Sequence, residues 1–185
     1  MKKNSLSSVF TALFAALIAA GSVMAIPIGP VPVVLQNACA HLAGLLLGPL
    51  QGAGAVGLFL MAGALGLPVF SGGTSGFAVI TGPTGGYLIG YFIGALVAGF
   101  SVQRASKTSV QAAFPVVLSA AIAGFACVYI PGVLGLKKAL GLELSSAILK
   151  GVVPFLIPDL IKIAAVVPIT LKLRPIVNRY LHPDD

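Results

Sequence analysis

Phe155-Leu156-Ile157-Pro158-Asp159-Leu160-Ile161-Lys162-Ile163-Ala164-Ala165-Val166-Val167 sets one acid and one base into a run that otherwise reads as membrane. An ionisable group at membrane depth costs several kcal/mol unless it is paired or lines a polar cavity. Pro158 suits the first turn of a helix, where its missing N–H has no partner to lose, and Asp159 is favoured there by the positive end of the helix dipole. Lys162 follows at i+3, on the same helical face, so the two charges neutralise each other while pointing into one small volume. Two readings stand at this point: an ion pair that locks helices together, or the polar floor of a ligand pocket.

The composition decides the solvent. Apolar residues make up 58% of the 185 positions and charged residues 8%, against roughly 25% charged in soluble domains; the mean hydropathy is +1.07. From Asn4 through Gln103 there is no Lys, Arg, Asp or Glu. The chain therefore reads as a single all-α integral membrane domain over residues 1–185. It has room for about six to seven spans of roughly 20 residues with short connections, and the apolar runs along it give six transmembrane helices. The net charge of +7 lies in short clusters beside apolar runs, which are topology signals rather than a nucleic-acid face. Cys39 and Cys127 sit inside apolar segments as small hydrophobes. His41 has no second ligand at i+3 or i+4, so no metal site and no cofactor is expected.

The expected spans are 8–26, 33–47, 52–65, 86–102, 114–130 and 158–173. The first competes with a secretory signal cleaved after Ala25, but an apolar run of about 18 residues is long enough to cross. Ala12, Ala16 and Ala20 repeat along it at intervals of four, a smooth stripe that another helix can approach closely. Ile26-Pro27-Ile28-Gly29-Pro30-Val31-Pro32 is too rich in proline for helix and reads as a stiff external loop. In span 2, Gln36 either caps and snorkels or faces the same cavity as Asp159. The connection from Gly66 to Tyr87, glycine-rich and about twenty residues long, is expected to lack regular structure and to form a lid or re-entrant loop over a pocket. Span 4 carries Gly86, Gly90, Gly94 and Ala98 at intervals of four, a tight packing face. Between Pro131 and Val153 an amphipathic surface helix is expected.

With six spans and a cytoplasmic N-terminus, Lys2, Lys3, Arg104, Lys107, Lys172, Arg174 and Arg179 fall in the cytoplasm. Lys137, Lys138 and Lys150 fall outside. This bias agrees with the positive-inside rule, with both termini cytoplasmic. The proline loop, the long glycine-rich loop between spans 3 and 4, and the Asp159–Lys162 pair then share the external side, which favours the pocket over the bare ion pair.

IPIGPVPVVLQ at 26–36, GLPVF at 66–70, GGTSGFAVITGPTGGY at 72–87 and DLIK at 159–162 resemble the BioY family. Its members are the biotin-binding S components of energy-coupling-factor (ECF) transporters. The resemblance extends over essentially the whole chain and departs at Pro158, where the family usually has Gly. It implies six membrane helices, an outward-facing biotin pocket, and a partnership with a transmembrane coupling protein and two cytoplasmic ATPases. It points to Asp159, Lys162, Gly82, Thr84, Gly85, Gly86 and Tyr87 as ligand-binding, and also to Gln36 and Phe70. A carboxylate can take the ureido N–H groups of biotin and an ammonium its carbonyl; Phe70, Phe77 or Tyr87 suit the apolar ring and chain. Ala12, Ala16 and Ala20 resemble the face by which S components dock on their coupling protein. The rival readings are a self-contained proton-coupled secondary transporter using Asp159, and an S component for another vitamin. An intramembrane enzyme would need a nucleophile and base in reach, and none is evident.

Overall fold

The computed structural model describes residues 2–103 and 110–181, so Arg104 and Lys107 lie outside the described residues. Helix α1 (Lys2–Ala20) leads into a two-stranded antiparallel hairpin, β1 (Ala25–Ile26) against β2 (Val33–Val34), in the register Ala25 with Val34 and Ile26 with Val33. Then come α2 (Gln36–Leu47), α3 (Pro49–Ala64), a 3-10 turn at Ser71–Gly73, α4 (Phe77–Thr81) and α5 (Gly85–Val102). The chain closes with α6 (Val110–Leu140), α7 (Leu144–Gly151), a 3-10 turn at Val153–Phe155 and α8 (Leu156–Leu181).

The chain is thus an all-helical membrane protein. Three runs, Gly85–Val102, Ala113–Leu140 and Leu144–Leu181, are long and apolar enough to cross a bilayer, and Leu6–Ala20 and Pro49–Ala64 are shorter apolar helices. Leu13, Leu50, Met61, Leu65, Ile130 and Ile157 stand exposed around the outside, an apolar surface that suits lipid and would be a liability in water.

Helix α2 is the hub. It is buried on nearly every side, as an all-round apolar helix must be. Its small residues allow this. A Cβ on Gly44 would run into the backbone of Ala95 in α5, and one on Gly52 in α3 would meet Gly44 itself. Gly48, at φ +87°, turns the chain from α2 directly into α3, with Pro49 at the first helical position. The α5–α6 contact follows the glycine stripe: Gly86 faces the Pro131 carbonyl, Gly90 faces Val128, Gly94 faces Gly124, and Ala98 is fully buried.

Several expected boundaries are corrected. Span 2 begins as helix only at Gln36, because Val33 and Val34 pair with β1 across the proline turn. Span 5 does not stop at Ile130: α6 runs unbroken through Pro131 to Leu140, since proline is tolerated inside a helix when neighbouring helices cover the freed backbone groups. The amphipathic segment after it is therefore the short α7. Span 6 begins at Leu156 and extends to Leu181. The Gly66 to Tyr87 connection is not without regular structure; it holds a 3-10 turn, the Phe70–Thr74 bridge and α4, and the Gly76 N–H donates to the Gly63 carbonyl at 2.7 Å, tying it to α3.

At the far end of the bundle, Arg174 on α8 is buried and donates to the Leu45 carbonyl near the end of α2. A cation there complements the negative end of the helix dipole. Helices α2 and α8 are consequently joined at both ends, by Arg174 below and by the polar cluster above.

Candidate ligand-binding site

Pro158 and Asp159 occupy the first turn of α8, and Asn37 the first turn of α2. The packing of these two helices brings the three polar side chains of the cluster together in an apolar surround. Lys162 Nζ donates to Asp159 Oδ1 at 2.8 Å and to Asn37 Oδ1 at 3.0 Å. Asn37 Nδ2 donates to the same Asp159 oxygen at 3.0 Å, and the Tyr129 hydroxyl of α6 donates to Asp159 Oδ2 at 2.7 Å. Asp159 is 7% exposed and Lys162 8%, so both charges have left water. Removing either would strand the other, the costly case for a buried pair. Of the three ammonium protons, two are committed to partners among the described residues.

Above this floor lies a cavity of about 360 Å³, within the range of small-molecule sites. Gln36 and Val34 form one side, Tyr87, Leu88 and Tyr91 of α5 a second, and the connection from Phe70 to Thr84 the cover. Gln36 Nε2 donates to the Val69 carbonyl at 2.9 Å, fastening the cover to α2. Phe70 is held edge-on to Phe59 with ring centroids 5.4 Å apart. A recess of about 20 Å³ shares Val31, Pro32, Val34, Tyr87 and Tyr91 with the cavity and ends on Asn37, Tyr129, Asp159 and Lys162. The site is therefore an apolar chamber with a narrow polar end.

The structure distributes the expected site residues between these two parts. Asp159, Lys162 and Tyr87 line the recess; Gln36, Phe70, Gly82, Thr84 and Tyr87 line the chamber. Gln36 does not snorkel, being 1% exposed, and it lines the chamber rather than the adjoining recess that holds Asp159. Gly85 and Gly86 line neither part. A Cβ on Gly85 would strike the Ile80 carbonyl and one on Gly86 the Pro131 carbonyl, so they let α5 begin between α4 and α6. Phe77 faces outward. Tyr87 reaches past the chamber, its hydroxyl donating to the Gly151 carbonyl at 2.8 Å. His41 lies apart, stacked on Phe125 at 4.2 Å, its Nδ1 2.5 Å from the Asn37 carbonyl. Ala12, Ala16 and Ala20 are exposed on α1, on the side away from the buried Phe14 and Ile18.

Sequence reasoning missed Asn37, Tyr129 and Tyr91. Asn37 had a signal: an amide inside an apolar run raises the same question as Asp159. Tyr129 and Tyr91 had none, since single aromatics are ordinary in any span.

A polar-ended chamber inside an apolar helical bundle defines a multi-pass membrane protein that handles a small solute. The fold matches a solved S-component for biotin from an ECF-type ABC transporter with a TM-score of 0.81, 32% identity and 92% of each chain covered, so this is the S-component fold. The BioY family model matches residues 1–179, and the chain belongs to the BioY family. It is 38% identical over 162 residues to the biotin transporter BioY of Thermotoga maritima, covering 88% of this chain and 92% of that one. It is 37% identical over 174 residues to the probable biotin transporter BioY of Pyrococcus horikoshii, covering 94% and 98%. The protein is thus a membrane transporter component and not an enzyme.

Proposed function

We propose that this chain captures biotin from the external side and passes it inward with a coupling module made of a transmembrane protein and two cytoplasmic ATPases. The observation that carries the reading is the Asp159–Lys162 pair, buried with Asn37 and Tyr129 at the narrow end of an apolar chamber. Biotin has matching halves. Its ureido group offers N–H donors to the Asp159 carboxylate and a carbonyl to the Lys162 ammonium, and its ring and aliphatic chain suit Phe70, Tyr87 and Tyr91. Gln36, Gly82 and Thr84 belong to the chamber wall in this reading, while Gly85 and Gly86 seat the helix that bears Tyr87. Its single membrane domain has α1, α2, α3, α5, α6 and α8 as six spans, with both ends cytoplasmic as the charge bias requires.

Exposed Ala12, Ala16 and Ala20 supply the smooth face for the coupling protein. A proton-coupled secondary transporter fits less well, because Asp159 is already committed to Lys162. The chain has no Trp, so calorimetry or radiolabelled biotin is the suitable assay. Saturable tight binding by the purified protein supports the proposal, and tight binding of a different vitamin with none of biotin contradicts it.

A further inference from the structure

We propose that the Asn37 carboxamide is an internal stand-in for the ligand's head group, holding the Asp159–Lys162 pair until a ligand displaces it. The inference rests on the proposal that this pair receives a ureido group.

Three observations lead to it. The first is chemical. Asn37 gives an N–H to the carboxylate and a carbonyl oxygen to the ammonium, at 3.0 Å each. An N–H donor beside a carbonyl acceptor is the edge that a cyclic urea or a lactam presents, so the carboxamide already supplies the pair with the two functions it would take from such a ligand.

The second is spatial. The recess reaching the pair has about 20 Å³, room for little more than one water-sized group. The chamber of about 360 Å³ accommodates the rest of a small molecule, but the recess, whose wall Asn37 shares with Asp159 and Lys162, is too small to admit a five-membered ring unless the carboxamide moves. The third is electrostatic. Both charges are buried, and unmade hydrogen bonds at buried charges are costly. A group that satisfies them between ligands protects the pair, and a ligand that competes with it binds less tightly than its contacts alone would allow.

Asn37 is thus a specificity-determining residue. Only a head group able to replace both bonds of the carboxamide at once displaces it without leaving a hydrogen bond unmade at one of the two buried charges. A ligand with an acceptor alone leaves Asp159 short of a donor, and one with a donor alone leaves Lys162 short of an acceptor.

Biotin titrations of the full-length protein, Asn37→Ala and Asn37→Leu in one membrane mimetic test this. Asn37→Ala removes the competitor and opens the recess. It should bind biotin at least about threefold more tightly, bind the bare cyclic urea imidazolidin-2-one measurably where wild type does not, and melt at a lower temperature without biotin. Asn37→Leu fills the recess without hydrogen bonds and should bind biotin more weakly than wild type. If Asn37→Ala does not fold, Asn37→Ser, too short to bridge the pair, carries the same expectation as the alanine variant. A small-side-chain variant that binds biotin as wild type does, or more weakly, overturns the inference while leaving the biotin reading in place. A folded wild-type protein that binds no biotin overturns both.

Discussion

The floor and the cover of the chamber are built by opposite means. The floor stands on three helices, α2, α6 and α8, and every one of its four polar side chains is bonded to another: Asn37, Tyr129, Asp159 and Lys162. The cover is short and glycine-rich. Gly66, Gly72, Gly73 and Gly76 have φ between +70° and +103°, with nothing near the place a side chain would occupy. The glycines of α5 serve another purpose: Gly86, Gly90 and Gly94 lie in helix and touch neighbouring backbone. On the proposed reading, recognition falls to side chains locked by packing and ligand entry to a segment of unusual backbone conformation. Changes in the floor should then alter how tightly ligand is held, and changes in the cover how it enters.

The largest expected effect is at the pair. Asp159→Asn and Lys162→Met should each weaken biotin binding by on the order of 2–5 kcal/mol, since each strands a buried charge. Calorimetry checks it; unchanged affinity with lowered melting temperature would make the pair purely structural and erase the contrast between floor and cover. Tyr129→Phe deletes one hydrogen bond to a charged acceptor and should cost about 1.5–3 kcal/mol by the same titration; no loss would remove Tyr129 from the floor.

Gly76→Ala sharpens the other side of the contrast. At φ +93° and ψ 163° a side chain is strained by of order 1–3 kcal/mol. The expected result is a changed association rate and altered protease sensitivity of the cover, with an equilibrium loss smaller than that of the pair variants. A loss equal to theirs would mean that the cover, too, holds the ligand. The smallest effect on binding is expected at α1. Ala16→Leu should leave biotin binding to the isolated protein unchanged, yet disturb a close helix contact by about 1–3 kcal/mol. ATP-driven uptake by cells expressing the coupling module should fall, and unchanged uptake would dismiss the docking face.

Much of this contrast was legible in the sequence, for identifiable reasons. Asp159 and Lys162 announced themselves because charge in a span demands a reason, and Gly86, Gly90 and Gly94 because their period is that of a helix. What stayed hidden depended on partners distant along the chain. Val33 and Val34 become strand only through Ala25 and Ile26 across the proline turn. Pro131 reads locally as a helix stop, but α6 continues through it against α5. Gly85 and Gly86 enter the expected ligand-binding set through the family resemblance alone, and no local pattern in the sequence shows that they pack against Ile80 and Pro131. Tyr129 meets Asp159 from thirty residues away, with no local pattern to mark it.

Whether the buried pair reads the ligand's head group is tested by a cycle on residue and ligand together. Biotin and 2-iminobiotin, which replaces the ureido oxygen by a protonatable nitrogen, would be titrated against wild type and Lys162→Met. A cationic head facing the Lys162 ammonium should bind wild type at least roughly a hundredfold more weakly than biotin does, a gap of about 2.7 kcal/mol. In Lys162→Met, where that ammonium is gone, the gap should shrink by about tenfold or more. A gap of the same size in both proteins would show that the ureido group is recognised elsewhere, and would contradict the account.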